Sequence, residues 1–276
     1  MKIQRFAGNF KPTFWSNYVQ TELEKDLVVA KWSDYTYDGE IEYKGRVTIV
    51  GTVRPKIGKY EPGKDINIEK LGDNAQYLDI DYADYFAFEV DDVDKAQSKK
   101  GYLDKQFDEA KKALAEEEDH NVATVAALGA LQNMTSESTA IYELSDPLAP
   151  LDVGLIKLRK NNVPLKEKLA ADLNADHIGL IKKALSKAFS DNVEYIKNGA
   201  IGEYNNILLR LSNNLYNDGK DDFELLRTKK AVAAANAIRN IETCRKEKGF
   251  ASIVKGLNVY GAKVVRPKEL YVIKAH

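Results

Sequence analysis

The densest group of acidic side chains in a predicted turn is Asp91, Asp92 and Asp94, in the run DDVD. Carboxylate oxygens are the ligands that hard cations such as Ca²⁺ prefer, so this group could hold a metal ion. The same acids also suit a strand end followed by a helix start, where the helix dipole favours negative charge. We favour the second interpretation, which makes the acids part of the fold.

Other residue types that carry chemistry are too dispersed to form a recognisable site. His120, His177 and His276 lie far apart without an H-E-x-x-H motif, and the single Cys244 leaves no C-x-x-C pair. The sequence also lacks the two glycine-rich phosphate-binding motifs, G-x-x-x-x-G-K-[ST] and G-x-G-x-x-G. We therefore predict no catalytic residues, no metal site and no cofactor.

The composition is typical of a soluble globular protein. The 276 residues are 44% hydrophobic and 30% charged, with 41 basic and 42 acidic side chains. Because a basic excess is missing, we predict at most weak contact with nucleic acid. No apolar run reaches the roughly 18 residues of a membrane span, and the N-terminal sequence MKIQRFAGNF predicts no secretory signal.

Residues 45–63, GRVTIVGTVRPKIGKYEPG, combine an outgoing strand with a basic tip. In the first half, Val47 and Ile49 alternate with polar residues, as on one face of a strand. The second half has no apolar period and is interrupted by Pro and Gly. Its basic side chains are Arg54, Lys56 and Lys59. Such a segment cannot bury enough apolar surface to order itself, so it needs a surface to lie on.

A return strand is predicted to begin near Asn74. From residue 78 to residue 90, apolar side chains occupy the even positions, with Asp84 as the exception. The pattern predicts a long two-stranded excursion over residues 36–90. Isolated hairpins are marginally stable in water, which again calls for a supporting surface.

A long helix is predicted next, from about 95 to about 131, with a break near 119–121 left open. Its apolar stripe includes Phe107, Leu114, Val122, Val125 and Leu128. The run EEED at 116–119 is assigned to the solvated face. The Ser/Thr/Pro-rich stretch 136–150 marks a boundary.

After this boundary, short alternating elements indicate an α/β domain. The predicted elements are helices over 151–160 and 176–189, an apolar segment over 167–173, strands over 205–211, 222–227 and 238–244, and an Ala-rich segment over 230–237. The closing residues, KGLNVYGAKVVRPKELYVIKAH, predict a C-terminal strand pair.

Three stretches are the most distinctive: YFAFEVDDVDKAQ (85–97), RKNNVP (159–164) and FASIVKGLNVYGAKVVRP (250–267). With the order of the parts around them, the chain resembles the major capsid proteins of tailed bacteriophages and prophages, which have the Hong Kong 97-type fold. The resemblance covers essentially the whole chain, and it looks like a member without a leading scaffolding segment. It implies an α+β fold with an N-terminal arm, an extended E-loop hairpin, a peripheral domain with a long spine helix, and an α/β axial domain.

The resemblance also implies a division of the chain. The expected parts are an arm (1–35), the E-loop (36–76), the peripheral domain (77–149), the axial domain (150–250) and C-terminal strands that return to the peripheral domain (251–276). In this family the E-loop lies across the neighbouring subunit. The axial domains meet at the centres of hexamers and pentamers.

The predicted partners are therefore other copies of the chain. We expect the basic tip of one copy to meet acids of the next, in a heterologous contact of the kind that closes into rings. The candidate contact residues are Arg54, Lys56, Lys59, Tyr60, Trp15, Asp91, Asp92 and Asp94. Scaffolding, portal and decoration proteins are further candidates, together with weakly contacted double-stranded DNA. No membrane partner is expected.

These expectations lead to three functional hypotheses. The first is a major capsid protein of a virion, assembled in the bacterial host cytoplasm into an icosahedral shell around packaged DNA. The second is an encapsulin-like compartment, which encloses enzymes with the same fold. The third is a soluble α/β enzyme with residues 150–270 as its catalytic domain. We disfavour the third hypothesis because the sequence shows no nucleophile–base set.

Overall fold

Three sheets and three α-helices make up most of the regular structure in the described residues. The computed structural model describes residues 27–36, 45–51, 57, 59, 74–91, 102–130, 133–135, 137–143, 146–184, 200–247 and 249–276. The helices are α1 (Tyr102–Gly129), α2 (Ala149–Lys160) and α3 (Ala175–Ala184). The strands are β1 (Arg46–Gly51), β2 (Asn74–Asp79), β3 (Tyr82–Asp91), β4 (Leu169–Leu173), β5 (Ala200–Tyr204), β6 (Ile207–Leu211), β7 (Tyr216–Asn217), β8 (Asp222–Thr228), β9 (Val232–Arg245), β10 (Ala251–Val264) and β11 (Leu270–Ala275).

The predicted hairpin is present, but it is shorter than expected. β1 and β2 pair antiparallel, in a register that runs from Arg46 opposite Asp79 to Gly51 opposite Asn74. The next strand, β3, leaves the hairpin and pairs with β10. The prediction of one continuous return strand is therefore wrong. Apolar and polar side chains alternate in the same phase along β2 and β3. The sequence pattern therefore does not reveal that the paired strand changes from β1 to β10.

The polar exception on β3 has a structural explanation. Even-numbered side chains of β3 are half-buried and odd-numbered ones are exposed, as predicted. Asp84 lies on the half-buried face and accepts a hydrogen bond from the Tyr260 hydroxyl at 2.7 Å. The Asn121 amide in turn donates to the Tyr260 oxygen at 2.7 Å. This chain of hydrogen bonds offsets the cost of placing a carboxylate on the inner face.

Helix α1 is continuous through residues 119–121, so the open question of a break there is answered. The part predicted over 95–101 lies outside the described residues. Most of the predicted stripe is buried, but Leu128 is 48% exposed. Small side chains take its place in the core, namely Ala123, Ala126, Ala127 and Ala130. Their size lets α1 lie close to the strands and to residues 27–30, in one shared core.

The α/β region is a six-stranded mixed sheet with the order β11-β8-β4-β6-β5 and with β7 paired to β8. β4 is parallel to β6 and antiparallel to β8. Helices α2 and α3 pack against this sheet around Leu151, Leu158, Ile178 and Ile181. The predicted strand over 205–211 instead begins with the turn Asn205–Asn206, whose positive φ angles asparagine tolerates.

The C-terminal strands do not pair with each other, so the predicted strand pair is wrong. β10 lies between β3 and β9, whereas β11 pairs with β8 in the six-stranded sheet. The turn at Pro267–Glu269 separates them, and proline cannot donate to a strand ladder. β9 is one 14-residue strand that joins the Ala-rich segment to the strand predicted over 238–244.

We expect Gly261→Ala to lower the free energy of unfolding by about 1–3 kcal/mol. A Cβ atom at Gly261 would lie 2.3 Å from the Asp79 carbonyl oxygen and 2.9 Å from Ile80 Cα. These are backbone atoms at the base of the hairpin, so side-chain rotation cannot relieve the clash. Urea unfolding checks the prediction. Gly179→Ala is the matched control, because a Cβ atom there has no neighbour within 4 Å. Gly179→Ala should raise the free energy of unfolding by up to about 1 kcal/mol, because alanine favours the helical conformation of α3. Equal effects of the two changes would contradict the argument.

Candidate assembly surfaces

The base of the hairpin is anchored in its own subunit. Val47, Ile49 and Leu78 are fully buried against Ala233 and Ala235 of β9. These side chains share one face of the β1–β2 pair, because residues two apart in a strand point the same way. The β1–β2 ladder therefore starts from a fixed position.

The tip of the hairpin is exposed where the structure describes it. The side chain of Ile57 is 89% exposed and that of Lys59 is also exposed. Asp91, the last residue of β3, is exposed and lies opposite Ala251. The remaining candidate contact residues lie outside the described residues: Arg54, Lys56, Tyr60, Trp15, Asp92 and Asp94. The predicted pairing of basic tip and acids between copies stays a prediction.

A second anchored segment, residues 27–34, lies between α1 and the six-stranded sheet. Leu27, Val29 and Ala30 are buried in the core that α1 covers. Asp34 joins the edge of β9 through two backbone hydrogen bonds, with Val232 at 2.9 Å and Ala234 at 3.1 Å. The segment is mostly irregular, so its buried backbone groups need partners from side chains.

Two buried arginines supply hydrogen-bond donors to this segment. The Arg227 guanidinium donates to the carbonyl oxygens of Val29 at 2.6 Å and Trp32 at 2.7 Å. The Arg210 guanidinium donates to the carbonyl oxygen of Val28 at 2.6 Å and lies over the Trp32 ring, 5.5 Å from its centre. The three carbonyl groups that face the sheet are therefore satisfied.

Two buried carboxylates complete the arrangement. Asp119 on α1 accepts the backbone N–H groups of Val28 at 2.7 Å and Ala30 at 2.8 Å. Asp172 on β4 pairs with both arginines. We call these four side chains, Asp119, Asp172, Arg210 and Arg227, the buried clamp. Each is at most 2% exposed. The clamp fixes residues 28–32 between α1 and the six-stranded sheet.

Burial changes the titration of two clamp residues. Burial lowers the pKa of Arg227 to about 10, which leaves the guanidinium charged at neutral pH. Burial raises the pKa of Asp119 to about 6, although the backbone hydrogen bonds from Ala30 and Val28 oppose the shift. The Asp172 carboxylate adds to the increase. Asp119 is therefore the clamp residue that titrates closest to neutral pH among the shifts described here.

This shift predicts the sign of a pH dependence. Because the pKa of Asp119 is higher in the folded chain, its contribution is fully present below about pH 4. It is lost as the pH rises through about 6. We expect Asp119→Asn to remove this dependence, so that the unfolding free energy of the native chain falls relative to the variant by about 2 kcal/mol between pH 4 and pH 7. Urea unfolding at several pH values measures the difference, and parallel curves would contradict it.

Comparisons with solved structures agree with this architecture. A structure from Mycobacterium phage Che8 matches with a TM-score of 0.72 and 25% sequence identity, and the match covers 90% of each chain. The capsid structure of cyanophage P-SCSP1u matches with a TM-score of 0.65 and 16% identity, covering 92% of this chain and 87% of the other. The chain has the fold of the phage major capsid proteins.

A virus-like particle from Pyrococcus furiosus is also similar, with a TM-score of 0.58 and 13% identity over 93% of this chain and 96% of the other. No protein-family model and no curated protein sequence matches the chain.

The capsid fold confirms the predicted resemblance and the predicted mixed α and β class. The structures of the cyanophage P-SCSP1u and bacteriophage PhiM1 capsids are those of shell proteins, and the chain shares their fold. In the part of the chain that the structure describes, no three His, Cys, Asp or Glu side chains are grouped to hold a metal ion. None of the described helices combines the length and apolarity needed to cross a bilayer.

The one histidine that is fully buried has a structural role. His177 Nδ1 lies 2.7 Å from Glu224 Oε2, and its Nε2 lies 2.8 Å from the Pro147 carbonyl oxygen. Burial lowers the pKa of His177, but the hydrogen bond and charge of Glu224 outweigh this, so the pKa is raised. These contacts hold α3 against β8.

The sequence argument missed the buried clamp and misplaced one of its members. The run EEED was assigned to solvent, and only Glu116 and Glu117 are exposed there. Glu118 and Asp119 are each 1% exposed. Spacing could have shown this, because residue 118 lies midway between Leu114 and Val122 on the same stripe. Arg210 and Asp172 carry no comparable signal, since each sits in an apolar strand as an isolated charge. Arg227 lies in a strand with Asp222 and Glu224, where nothing in the pattern sets it apart.

Proposed function

We propose that this capsid protein assembles through hexamers and pentamers into an icosahedral shell that encloses packaged double-stranded DNA. The observation that carries the proposal is the hairpin, whose base is buried in its own subunit while its described tip residues are exposed. A polypeptide segment of this kind gains its stability by lying on another copy. Such a head-to-tail contact is heterologous and closes into rings.

The parts of the subunit take the roles that the capsid fold suggests. Residues 36–76 act as the E-loop, and α1 acts as the spine of the peripheral domain. The six-stranded sheet with α2 and α3 builds the axial domain at the capsomer centre, which excludes β9 from the range 150–250 and adds β11. A net charge of −1 supports assembly, because many copies can approach without severe repulsion. Scaffolding, portal and decoration proteins are the further partners, and the shell forms in the bacterial host cytoplasm.

One observation favours a second candidate function. The similarity to a virus-like particle from Pyrococcus furiosus extends over 93% of this chain. A compartment that encloses proteins instead of DNA would use the same shell contacts. The content of purified particles separates the two functions, because packaged DNA gives a nuclease-protected absorbance at 260 nm. A genomic neighbourhood with portal and terminase genes would also favour the virion.

Electron microscopy and light scattering of the purified chain test the proposal directly. We expect closed particles tens of nanometres across, or rings of five or six subunits. If the chain alone stays a 31.0 kDa monomer, the neighbouring genes are expressed together with it, which supplies any scaffold. A strict monomer in both experiments would overturn the proposed function.

A further inference from the structure

One end of the six-stranded sheet collects loops from distant parts of the chain. The register places Leu169, at the start of β4, opposite Thr228, at the end of β8. It also places Leu270, at the start of β11, opposite Arg227. The last turn of α2 joins them, because the Asn161 amide donates to the Lys268 carbonyl oxygen at 3.0 Å. Three separate segments therefore meet at this end: residues 157–169, 227–230 and 266–270.

These segments carry nine basic side chains and two acidic ones. The basic residues are Lys157, Arg159, Lys160, Lys166, Lys168, Lys229, Lys230, Arg266 and Lys268. All of them are exposed except Arg159, which is half-buried. We call this surface the basic end. It has seven more positive than negative charges in a chain whose net charge is −1.

The two acids of the basic end are already engaged. Glu167 pairs with Lys230 at 2.6 Å. Glu269 pairs with Arg266 at 3.0 Å and accepts a hydrogen bond from the Thr228 hydroxyl at 2.7 Å. They fix the loops relative to one another and leave most of the positive charge facing solvent.

The basic end is also concave. A groove of about 340 Å³ runs between the α2 end and the turn before β11. Its lining residues are Asn161, Asn162, Val163, Val265, Arg266, Pro267, Lys268 and Glu269. Amide and basic side chains at its rim are the groups that contact phosphate oxygens in protein–DNA complexes.

We propose that the basic end binds the phosphate backbone of nucleic acid without sequence preference. The inference rests on the proposed function only where it places the nucleic acid inside the shell. Double-stranded DNA carries about one negative charge per 1.7 Å of its axis, a density that a cluster of lysines and arginines matches. The binding is expected to be weak, with a dissociation constant of about 1–100 μM at physiological salt.

A second copy of the chain is a less suitable partner for this surface. In the described residues, exposed acids occur in ones and twos, such as Asp79 and Asp81, Glu116 and Glu117, or Asp218. Asp79 already pairs with Arg46. None of these pairs offers the charge density that seven excess positive charges would need.

The test measures binding of the purified full chain to a dye-labelled 30-base-pair duplex by fluorescence anisotropy, from 20 to 200 mM NaCl. The reversal variant carries Lys166→Glu, Lys229→Glu and Lys268→Glu, one from each of three segments. The control variant carries Lys112→Glu, Lys182→Glu and Lys220→Glu, which are exposed elsewhere. Both have the same net charge, and circular dichroism confirms that both are folded.

We expect the reversal variant to bind at least about tenfold more weakly than the control variant, with a salt slope smaller by about 3 for three lost phosphate contacts. Equal losses in both variants, or no binding by the native chain at 20 mM NaCl, would overturn the inference. It would also fail if the reversal variant kept DNA binding but lost assembly, since the basic end would then contact another subunit. If the native chain forms shells and the reversal variant binds DNA as well as the control variant, this inference alone is overturned. If DNA binding depends on the basic end but the native chain forms no shells, the proposed function alone is overturned.

Discussion

Replacing Arg227 with methionine is expected to destabilise the folded subunit by about 3–5 kcal/mol. The guanidinium is fully buried and donates to the carbonyl oxygens of Val29 and Trp32. Its removal leaves these carbonyl groups without that donor and removes one of the two arginines that pair with Asp172. Methionine fills most of the volume of the arginine side chain. The loss of stability therefore measures the missing hydrogen bonds and charge, and not a cavity.

Two measurements separate a local effect from a general one. Urea unfolding gives the change in free energy, and hydrogen exchange at the amides of residues 28–33 shows whether the segment opens before the core. We expect exchange there to accelerate more than in β8. Arg46→Met is the matched control, because the Arg46–Asp79 pair is about half exposed, and exposed ion pairs contribute little to stability. Equal destabilisation by the two changes would refute a special role for the buried clamp.

Elements defined by local pattern could be predicted from the sequence. The β1–β2 pairing follows from alternation on both sides of a Pro- and Gly-containing tip, and α2 follows from a short apolar period that ends near Asn161. In each case the signal and the structure involve the same few residues. The order of such elements was distinctive enough to indicate the capsid fold.

Strand partners could not be predicted in this way. The side-chain period stays the same when the chain passes from β2 to β3, although the partner changes from β1 to β10. Likewise, β10 and β11 are both apolar and are separated only by a short turn, yet they belong to different sheets. The choice of partner depends on contacts between residues distant in the chain, such as Tyr82 with Tyr260 on β3 and β10 and Leu270 with Arg227 on β11 and β8. A single sequence does not encode such contacts locally.

The same reasoning explains why both charged clusters were missed. The buried clamp joins Asp119, Asp172, Arg210 and Arg227 from four elements. Asp119 looks like part of the charged run EEED, whereas Asp172 and Arg210 look like single polar residues in apolar strands. The basic end gathers its nine basic side chains from three segments, so the sequence shows no single basic block and the net charge hides it. Sequence reasoning predicted the β1–β2 pairing but not the charged groups that gather from distant elements.

Deleting residues 54–62 is expected to leave a folded subunit that no longer forms closed shells. The deletion lies between the end of β1 at Gly51 and the start of β2 at Asn74, so all six paired positions of the hairpin remain. The buried residues Val47, Ile49 and Leu78 also remain. The free energy of unfolding should therefore change by less than about 1 kcal/mol, while the surface that we propose to contact a neighbouring copy is removed.

Light scattering and electron microscopy of the deletion variant, under conditions in which the native chain assembles, provide the measurement. The control replaces residues 54–62 with nine Gly and Ser residues, which keeps the length but removes the basic side chains and exposed Ile57. Failure of both variants would show that the tip side chains make the contact. Assembly of the Gly/Ser variant, but not of the deletion variant, would show that the length of the segment is sufficient for assembly. Normal shells from the deletion variant would refute the E-loop role, because a subunit whose tip is dispensable must be held in the shell by other surfaces.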